Sequence, residues 1–416
     1  MMCGVLVAAA ILLSAPCLAV DTVPPTDAHV LEWLNAPEHT DFDWKVQLFS
    51  PRLSFQQRRV AGIRAALPIR KLLRAGISLA GLRFVFKVAD SDGHWMPGQY
   101  DDNFIPTADV QKAKELVFYA HFFVQPGRYK VAVLAYDRRT RRSNLWKREF
   151  EVPALKADPL PEADRNLPLV ELPDESRPEL AKLGGAKLHL PVHNRRPIRL
   201  DVVLNLALSD ATNSRFREAP DWVYRSNAGV LLQIGWVLSQ LDLQDGCVRL
   251  SAIDILRQQM FADRLQVAET NWDRLAASVE QLQRNRIDVH VLERQKITPA
   301  LFARFLEQAV SDPAPCRDSG PAPRHVLLVV SDAFLFPWKT EMTAVRPELM
   351  PATAGYYLQV NPIAGATWDQ IGKVLSPLHP RRWELSNAVK FRKMIAELIA
   401  DLESMPDGGI VTQPRP

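Results

Sequence analysis

Several apolar runs in the second half of the chain are long enough for strands, and they limit what this half can fold into. Residues 200–208 and 325–330 lack a regular polar alternation, which is typical of strands buried on both faces of a sheet. Further strand-like stretches occur at 247–255, 260–268 (as a short antiparallel edge) and 356–360, and helical periodicity marks 227–241, 272–283, 299–309 and 387–403. Strands that alternate with helices predict an α/β fold, here a doubly wound parallel sheet with helices on both faces.

The first half has the period-two pattern of strands that face a core on one side. Residues 82–89 follow this pattern, and residues 115–124 and 129–136 predict a hairpin through Gln125-Pro126-Gly127. Residues 126–133 also resemble the F-strand region of immunoglobulin-like and fibronectin-like modules. With strand-like stretches at 58–68 and 146–152, the prediction is an antiparallel, immunoglobulin-like β-sandwich of about 100 residues.

Prolines recur among charged residues from 153 to 197, which is typical of a semi-rigid linker with little core. The predicted organisation is therefore a signal peptide at 1–19, a linker at 20–42, the sandwich at 43–153, the Pro-rich linker at 154–197, the α/β domain at 198–404 and a disordered tail at 405–416.

The N-terminus has the pattern of a secretory signal peptide. Residues 4–13 form an apolar run, and the small residues that follow predict cleavage after Ala19. A buried N-terminal helix is the alternative, since no Lys or Arg precedes the run. The run is too short to span a bilayer and no other apolar stretch reaches about 18 residues, so we expect an exported protein, periplasmic or secreted, without a transmembrane segment in the mature chain. A formal net charge of +4 over 416 residues does not favour nucleic-acid binding.

Two segments of the second half carry a resemblance to a known family. Leu200-Asp201-Val202-Val203-Leu204 runs into a loop with Ser209, and a later apolar strand ends in Ser331-Asp332. Together with the order of elements, they make residues 198–404 resemble a von Willebrand factor A domain, and the divergent A-type domains of acidobacterial exported proteins in particular. This resemblance implies that binding takes place at the carboxyl ends of the strands.

The family binds a divalent cation through an Asp-x-Ser-x-Ser loop, a Thr from a second loop and an Asp after a later strand. By resemblance, Asn205 and Ala207 replace the Asp and the first Ser, Ser209 and Asp332 are retained, and Thr298 stands for the second-loop Thr. Because Asn205 offers a neutral oxygen and Ala207 offers none, the resemblance implies a degenerate metal site and no cofactor. The alternatives are a rebuilt Mg²⁺ or Mn²⁺ site, with Ser209 and Asp332 as its surest ligands, and residues that merely close loops and cap turns.

Other candidate residues have two readings each. Cys247 and Cys316 are either a disulfide at the amino-end edge of the sheet or two free thiols. The basic turn at 138–142 is either a contact for an acidic glycan, a lipid headgroup or a partner, or a solvated turn. The aromatic residues at 334–338 are either interface anchors or core, and Pro191 argues against a shared zinc site for His189 and His193.

No spacing in the chain nominates a nucleophile with a base, and no His-Glu-x-x-His, Gly-x-Ser-x-Gly or phosphate-loop pattern occurs. We therefore expect a non-catalytic protein-interaction or scaffolding protein of the cell envelope that binds a protein partner through the carboxyl-end loops of its A-like domain. A metal-dependent adhesion module is the alternative, and a hydrolase is a third hypothesis.

Overall fold

The structure is a computed structural model, and it describes residues 32–97, 100–103, 113–172, 185–207, 221–284, 297–312, 323–332, 342–360 and 369–405. The predicted signal peptide and most of the predicted tail lie outside these residues. No helix among the described residues is long and apolar enough to cross a membrane.

Two antiparallel sheets face each other in the first half. Their elements are β1 (His39–Thr40), β2 (Lys45–Leu53), β3 (Arg59–Pro68), the short helix α1 (Ile69–Arg74), β4 (Leu82–Ala89), β5 (Tyr100–Asn103), β6 (Glu115–Val124), β7 (Gly127–Asp137), β8 (Ser143–Val152) and β9 (Val170–Glu171). The strand orders are β1-β8-β7-β4-β5 and β2-β3-β6-β9. The strands predicted at 82–89, 115–124 and 129–136 are confirmed. The hairpin predicted between the last two is wrong, because β6 and β7 lie in different sheets and β7 pairs with β4 and β8 instead.

Aromatic side chains fill the space between these two sheets. The rings of Phe84 and Phe118 are stacked with centroids 4.6 Å apart, and Phe86 lies 5.6 Å from Phe122. All four side chains are buried in one core. Burying a phenylalanine contributes about 2–3 kcal/mol, so this cluster is a main source of stability for the first half.

The second half is built on one six-stranded sheet. In chain order, the helices and strands of this half are β10 (Leu190–Val192), β11 (Ile198–Asn205), α2 (Asp221–Leu238), β12 (Leu241–Leu243), β13 (Gly246–Asp254), β14 (Gln259–Gln266), α3 (Trp272–Arg284), α4 (Thr298–Ser311), β15 (Arg324–Asp332), β16 (Ala354–Val360), α5 (Gln370–Leu375), β17 (Arg381–Leu385) and α6 (Ala388–Ser404). The sheet has the order β14-β13-β11-β15-β16-β17, and β10 pairs separately with β12.

Alternate side chains of the buried strands enter two different cores. Leu200, Val202 and Leu204 of β11 pack with apolar residues of α2, α3 and α6. Val203 of β11 packs on the opposite face with α4 and α5. The sheet therefore has helices on both of its faces, as its apolar strands predict.

The predicted fold class, a doubly wound parallel α/β sheet of the von Willebrand A-like kind behind a sandwich, is wrong for this chain. Strand residues outnumber helical ones, and two of the four sheets among the described residues are antiparallel throughout. The largest sheet is mixed, because β14 runs antiparallel to β13. The physical reason is the short turn at residues 255–258, which leaves no room for the helical crossover that parallel pairing requires.

The segment predicted as a linker is packed against both halves. Its strand β9 pairs with β6 of the first half, and its strand β10 pairs with β12 of the second half. Ala163 and Leu167, which precede β9, are buried in the core of the second half. The prediction of little core in this segment is therefore wrong, because its scattered apolar residues find partners that a local pattern does not reveal.

A buried arginine of α6 joins the two halves. Arg392 is 1% exposed, and its guanidinium donates to both carboxylate oxygens of Asp158, at 2.6 and 2.8 Å. It also donates to the carbonyls of Leu160, at 2.8 Å, and of Gln57 in the turn between β2 and β3, at 3.3 Å. Beside it, Phe55 of the same turn lies 6.4 Å from Phe391 of α6. The two halves are thus held together by charge and by apolar contact.

Candidate functional site

Three polar side chains lie side by side where the central strands of the large sheet end. Asn205 of β11 is the register partner of Ser331 of β15, and Ser331 is the partner of Gln359 of β16. All three are buried, which is unusual for polar residues outside hydrogen-bond networks. We call this border of the sheet the carboxyl-end edge, and the opposite border, where β11 and β15 begin, the amino-end edge.

Hydrogen bonds within this row explain how the side chains are satisfied. The Asn205 amide nitrogen donates to the Ser331 hydroxyl at 2.9 Å, and its oxygen accepts from the backbone N–H of Ala207 at 3.1 Å. The Ser331 hydroxyl donates to the carbonyl of Asp332 at 2.8 Å. Asn205 therefore closes the turn after its strand and ties two strand ends together, which is the structural one of its two predicted roles.

The remaining predicted ligands are not all brought to one point. Asp332 is buried, but strand alternation places it with Val330 on the α6 side of the sheet, opposite the side of Ser331. Thr298 is buried at the start of α4, on the side of the sheet to which Val203 and Asn205 belong. Thr298 is the first residue of this helix, and Ile297 occupies the cap position. Ser209 and the aromatic residues at 334–338 lie outside the described residues.

A second polar cluster continues the edge beyond Gln359 and was missed by sequence reasoning. The guanidinium of Arg382 contacts the Gln359 amide oxygen, approaches Asp369 Oδ2 at 3.6 Å and lies 5.6 Å from the ring centre of Tyr357. Burial, and then the Asp369 carboxylate, raise the pKa of the Tyr357 hydroxyl well above its ordinary value. Asp369 also caps α5 by accepting from Ile371 N–H at 3.3 Å. The sequence signal was weak, since α5 and β17 are short and lack periodicity.

Charged side chains gather at the amino-end edge, under the C-terminus of α4. Arg249 Nε donates to Asp201 Oδ1 at 2.6 Å, and Arg249 also donates to the Ala309 carbonyl at 2.8 Å. Arg199 donates to the carbonyls of Val310 and of Asp312, the latter at 2.6 Å. Two cations thus satisfy the last carbonyls of a helix, where the macrodipole favours positive charge. Arg and Asp within otherwise apolar runs were the signal that could have revealed this cluster.

His325 completes this cluster at the start of β15. Its Nδ1 lies 2.9 Å from Arg199 Nη2, so this nitrogen accepts and the ring is neutral. Burial, followed by the charges of Arg199 and Arg249, lowers the pKa of His325 from 6.5 to about 4. Burial raises the pKa of Asp201, although both arginines act against this. The hydrogen bonds to α4 account for these groups as a structural cluster.

The predicted disulfide concerns the same edge. Cys247, at the start of β13, is disulfide-bonded. Cys316 lies outside the described residues, so the pairing of Cys247 with Cys316 stays a prediction.

One group of potential metal ligands occurs among the described residues, in the turn after β4. Ligand atoms of Asp90, Asp92 and His94 lie within 4.8 Å of one another. However, Asp90 Oδ1 accepts from the backbone N–H groups of Asp92, at 3.0 Å, and of His94, at 2.8 Å, which accounts for the cluster as a hydrogen-bonded turn. The Asp-x-Asp-x-His spacing was present in the sequence and was not singled out.

Exposed apolar side chains also lie at the carboxyl-end edge. Met260 of β14 is 40% exposed and pairs with Ile253, which is itself the register partner of Asn205. Ile297, which caps α4, is 54% exposed. Since the C-terminus of α4 contacts Arg199 at the amino-end edge, its N-terminus lies toward the carboxyl-end edge. Two large apolar side chains therefore face solvent near the polar row.

Comparisons with known proteins add little to this geometry. No family model and no curated protein matches the chain. Among solved structures, a family 123 glycoside hydrolase from Clostridium perfringens, described in connection with glycolipid glycan hydrolysis, is similar over 82% of this chain and 72% of its own, with 7% identity and a TM-score of 0.23. A likeness at this TM-score supports no inference about the fold or the activity of this chain.

Proposed function

We propose that this protein is an exported, non-catalytic interaction or scaffolding protein that binds a protein partner at the carboxyl-end edge of its large sheet. One observation carries the proposal: at this edge the polar side chains are buried in hydrogen bonds with each other, whereas Met260 and Ile297 are exposed. Exposed apolar side chains near a rigid polar border are the composition expected of a protein interface.

The rigidity of this edge supports a scaffolding role. Asn205 joins the ends of β11 and β15, and Arg382 contacts Gln359 of β16 from the neighbouring strand β17. In addition, Gln57 of the first half donates to the carbonyl of Ala388, at the start of α6, at 3.1 Å. A surface held in this way loses little conformational entropy on binding, which favours affinity.

Site-specific photo-crosslinking in the full chain tests the proposal. A benzophenone amino acid would replace Met260 or Ile297, with Leu349 as the matched control. Leu349 is 40% exposed and its carbonyl accepts from Ser311 at the C-terminus of α4, so it lies near the opposite edge. We expect one discrete crosslinked product from positions 260 and 297 and none from 349. Equal crosslinking at all three positions, or none, would contradict the proposal.

The metal-dependent adhesion module is kept as the second candidate because Asp332 is buried at this edge and carries a carboxylate. Thermal unfolding of the full chain in EDTA and then in Mg²⁺, Mn²⁺ or Ca²⁺ separates the two candidates, since a bound ion stabilises the folded state. The interaction protein is expected to show the same midpoint in each condition. A midpoint that rises with one ion, and does not rise in Asp332→Ala, would favour the metal site.

Export is tested on the N-terminus. The proposal predicts that the protein purified from the producing cell begins at Val20, as measured by intact mass and N-terminal sequencing. A retained residue 1–19 segment would contradict export through this signal.

A further inference from the structure

A basic surface lies at one end of the first half, whereas the carboxyl-end edge belongs to the sheet of the second half. Helix α1 presents Arg70, Lys71 and Arg74 to solvent, and the turn between β7 and β8 presents Arg139 and Arg141. We call these five residues, together with Leu73, the basic end. The turn at 138–142 is one of the candidate binding segments of the sequence that the proposed function does not use.

Hydrogen bonds place α1 and the basic turn next to each other. Arg142 donates to the carbonyl of Ala75, directly after α1, at 2.7 Å. The backbone N–H of Arg138 donates to the carbonyl of Gly81 at 3.1 Å. The buried carboxylate of Asp137 accepts from Ser78 N–H at 3.0 Å and from Arg139 N–H at 3.0 Å. The basic end is therefore one surface with a fixed backbone.

Most of the positive charge of this surface is uncompensated within the described part of the chain. Lys71 pairs with Asp43 at 2.7 Å, and the Asp137 carboxylate accepts hydrogen bonds within the turn. No described carboxylate pairs with Arg70, Arg74, Arg139 or Arg141. Four exposed guanidinium groups on one surface favour a partner with many negative charges.

An exposed apolar side chain distinguishes among anionic partners. Leu73 is 52% exposed and lies on the same helix, three residues after Arg70 and next to Arg74. A leucine beside basic residues is the arrangement of a surface that enters the headgroup region of a membrane, where the charges meet lipid phosphates and the leucine meets acyl chains. A soluble anionic polymer would engage the charges and leave the leucine in water.

We propose that the basic end binds the surface of an anionic phospholipid membrane, with Leu73 inserted between the headgroups. This surface is separate from the one used in the proposed function, so either can fail without the other. Binding here would hold the protein against a membrane while the carboxyl-end edge remains available to a partner.

Vesicle sedimentation with the full chain tests this inference. The probes are vesicles of phosphatidylcholine alone and vesicles that also contain phosphatidylglycerol, at low and at physiological salt. The basic-end variant carries Arg70→Gln, Arg74→Gln, Arg139→Gln and Arg141→Gln. The control variant has the same change in net charge on other exposed residues, namely Arg128→Gln, Arg148→Gln, Lys390→Gln and Lys393→Gln.

We expect the wild-type chain to bind acidic vesicles, with weaker binding at higher salt. A basic residue near an anionic surface contributes about fivefold to affinity, so the basic-end variant should lose at least about a hundredfold, and the control much less. Equal losses in both variants, or no binding by the wild type, would overturn the inference.

The variant Leu73→Gln separates a membrane from other anionic partners. If Leu73 enters the bilayer, this variant binds acidic vesicles several-fold more weakly than the wild type, and the difference persists at high salt. Unchanged binding by Leu73→Gln, or binding to soluble heparin in place of vesicles, would overturn the membrane assignment in favour of an anionic polymer.

Discussion

Replacing Arg392 by methionine should destabilise the protein strongly, because it removes a buried charge that has several partners. The side chain is 1% exposed and is held by Asp158 and by the carbonyls of Leu160 and Gln57. Methionine preserves much of the volume, so the main effect is to leave the Asp158 carboxylate and two carbonyls without their donor. Breaking a buried ion pair in this way typically costs 3–5 kcal/mol. Since the Asp158 side chain is 17% exposed, we expect about 3 kcal/mol.

Urea unfolding followed by fluorescence and by circular dichroism measures this loss, with Arg381→Met as the matched control. Arg381 pairs with Glu397 at 2.6 Å and with Asp401 but is 42% exposed, so its removal should cost less than about 1 kcal/mol. Adding Asp158→Asn to Arg392→Met should recover part of the loss, because the carboxylate left behind is then neutral. Equal losses in the free energy of unfolding for Arg392→Met and Arg381→Met would refute the conclusion that the buried contacts of Arg392 hold the two halves together.

Three further predictions concern single positions. Asn205→Ala should cost about 1–3 kcal/mol in thermal unfolding, because it removes the donor to the Ser331 hydroxyl and leaves the Ala207 N–H without its acceptor. An unchanged midpoint would show that Asn205 has no structural role. The pKa of His325 is about 4 in the folded chain, compared with 6.5 for an ordinary histidine in the unfolded chain. As the pH drops from 6.5 to 4, the unfolded chain therefore binds a proton that the folded chain does not, and the free energy of unfolding should fall. The shift corresponds to about 3 kcal/mol, reduced to about 1–2 kcal/mol by partial exposure, and His325→Gln should flatten this part of the pH profile of urea midpoints. Gly246→Ala places a Cβ 1.9 Å from the Ile198 carbonyl oxygen at a φ of +125°, so it should lower the free energy of unfolding by more than about 3 kcal/mol. The control Gly76→Ala, where φ is +74° and nothing lies within 4 Å of the added Cβ, should cost about 1 kcal/mol. Similar urea midpoints for the two variants would contradict this prediction.

The individual strands and helices were largely predictable because local patterns encode them. The alternation of residues 82–89 corresponds to β4, and the apolar runs at 200–208 and 325–330 overlap β11 and β15. Short elements without a pattern, such as α5 and β17, were missed. How the strands assemble depends on turn lengths and distant contacts, and this is where the predicted fold class failed.

The chemistry of buried charges was less accessible from the sequence. A charged residue in an amphipathic helix predicts an exposed side chain. Arg392 of α6 is nevertheless buried, because the first half lies against it. The charges of Arg199 and Asp201 break the apolar run of β11, but their partner Arg249 is distant in the sequence. At the candidate site, the position of Asn205 was predicted, while its hydrogen bond to Ser331 required the register of two strands.

The path of the chain between the two halves has a consequence for how the molecule can be divided. From Val152 the chain first reaches the second half, where Ala163 and Leu167 are buried, then returns to give β9 to the first half, and then leaves again to form β10. A break before residue 158 would leave β9 in the fragment that contains the second half. A break after residue 171 would leave Ala163 and Leu167 in the fragment that contains the first half.

No single cut therefore yields two complete pieces. Limited proteolysis within this stretch should leave fragments that co-purify as a nicked complex, since each retains part of the other's core. The same interlacing hinders the exchange of either half between genes, because a recombination breakpoint anywhere from 158 to 192 would deprive both products of native packing. Recombination should therefore exchange the two halves only as one unit.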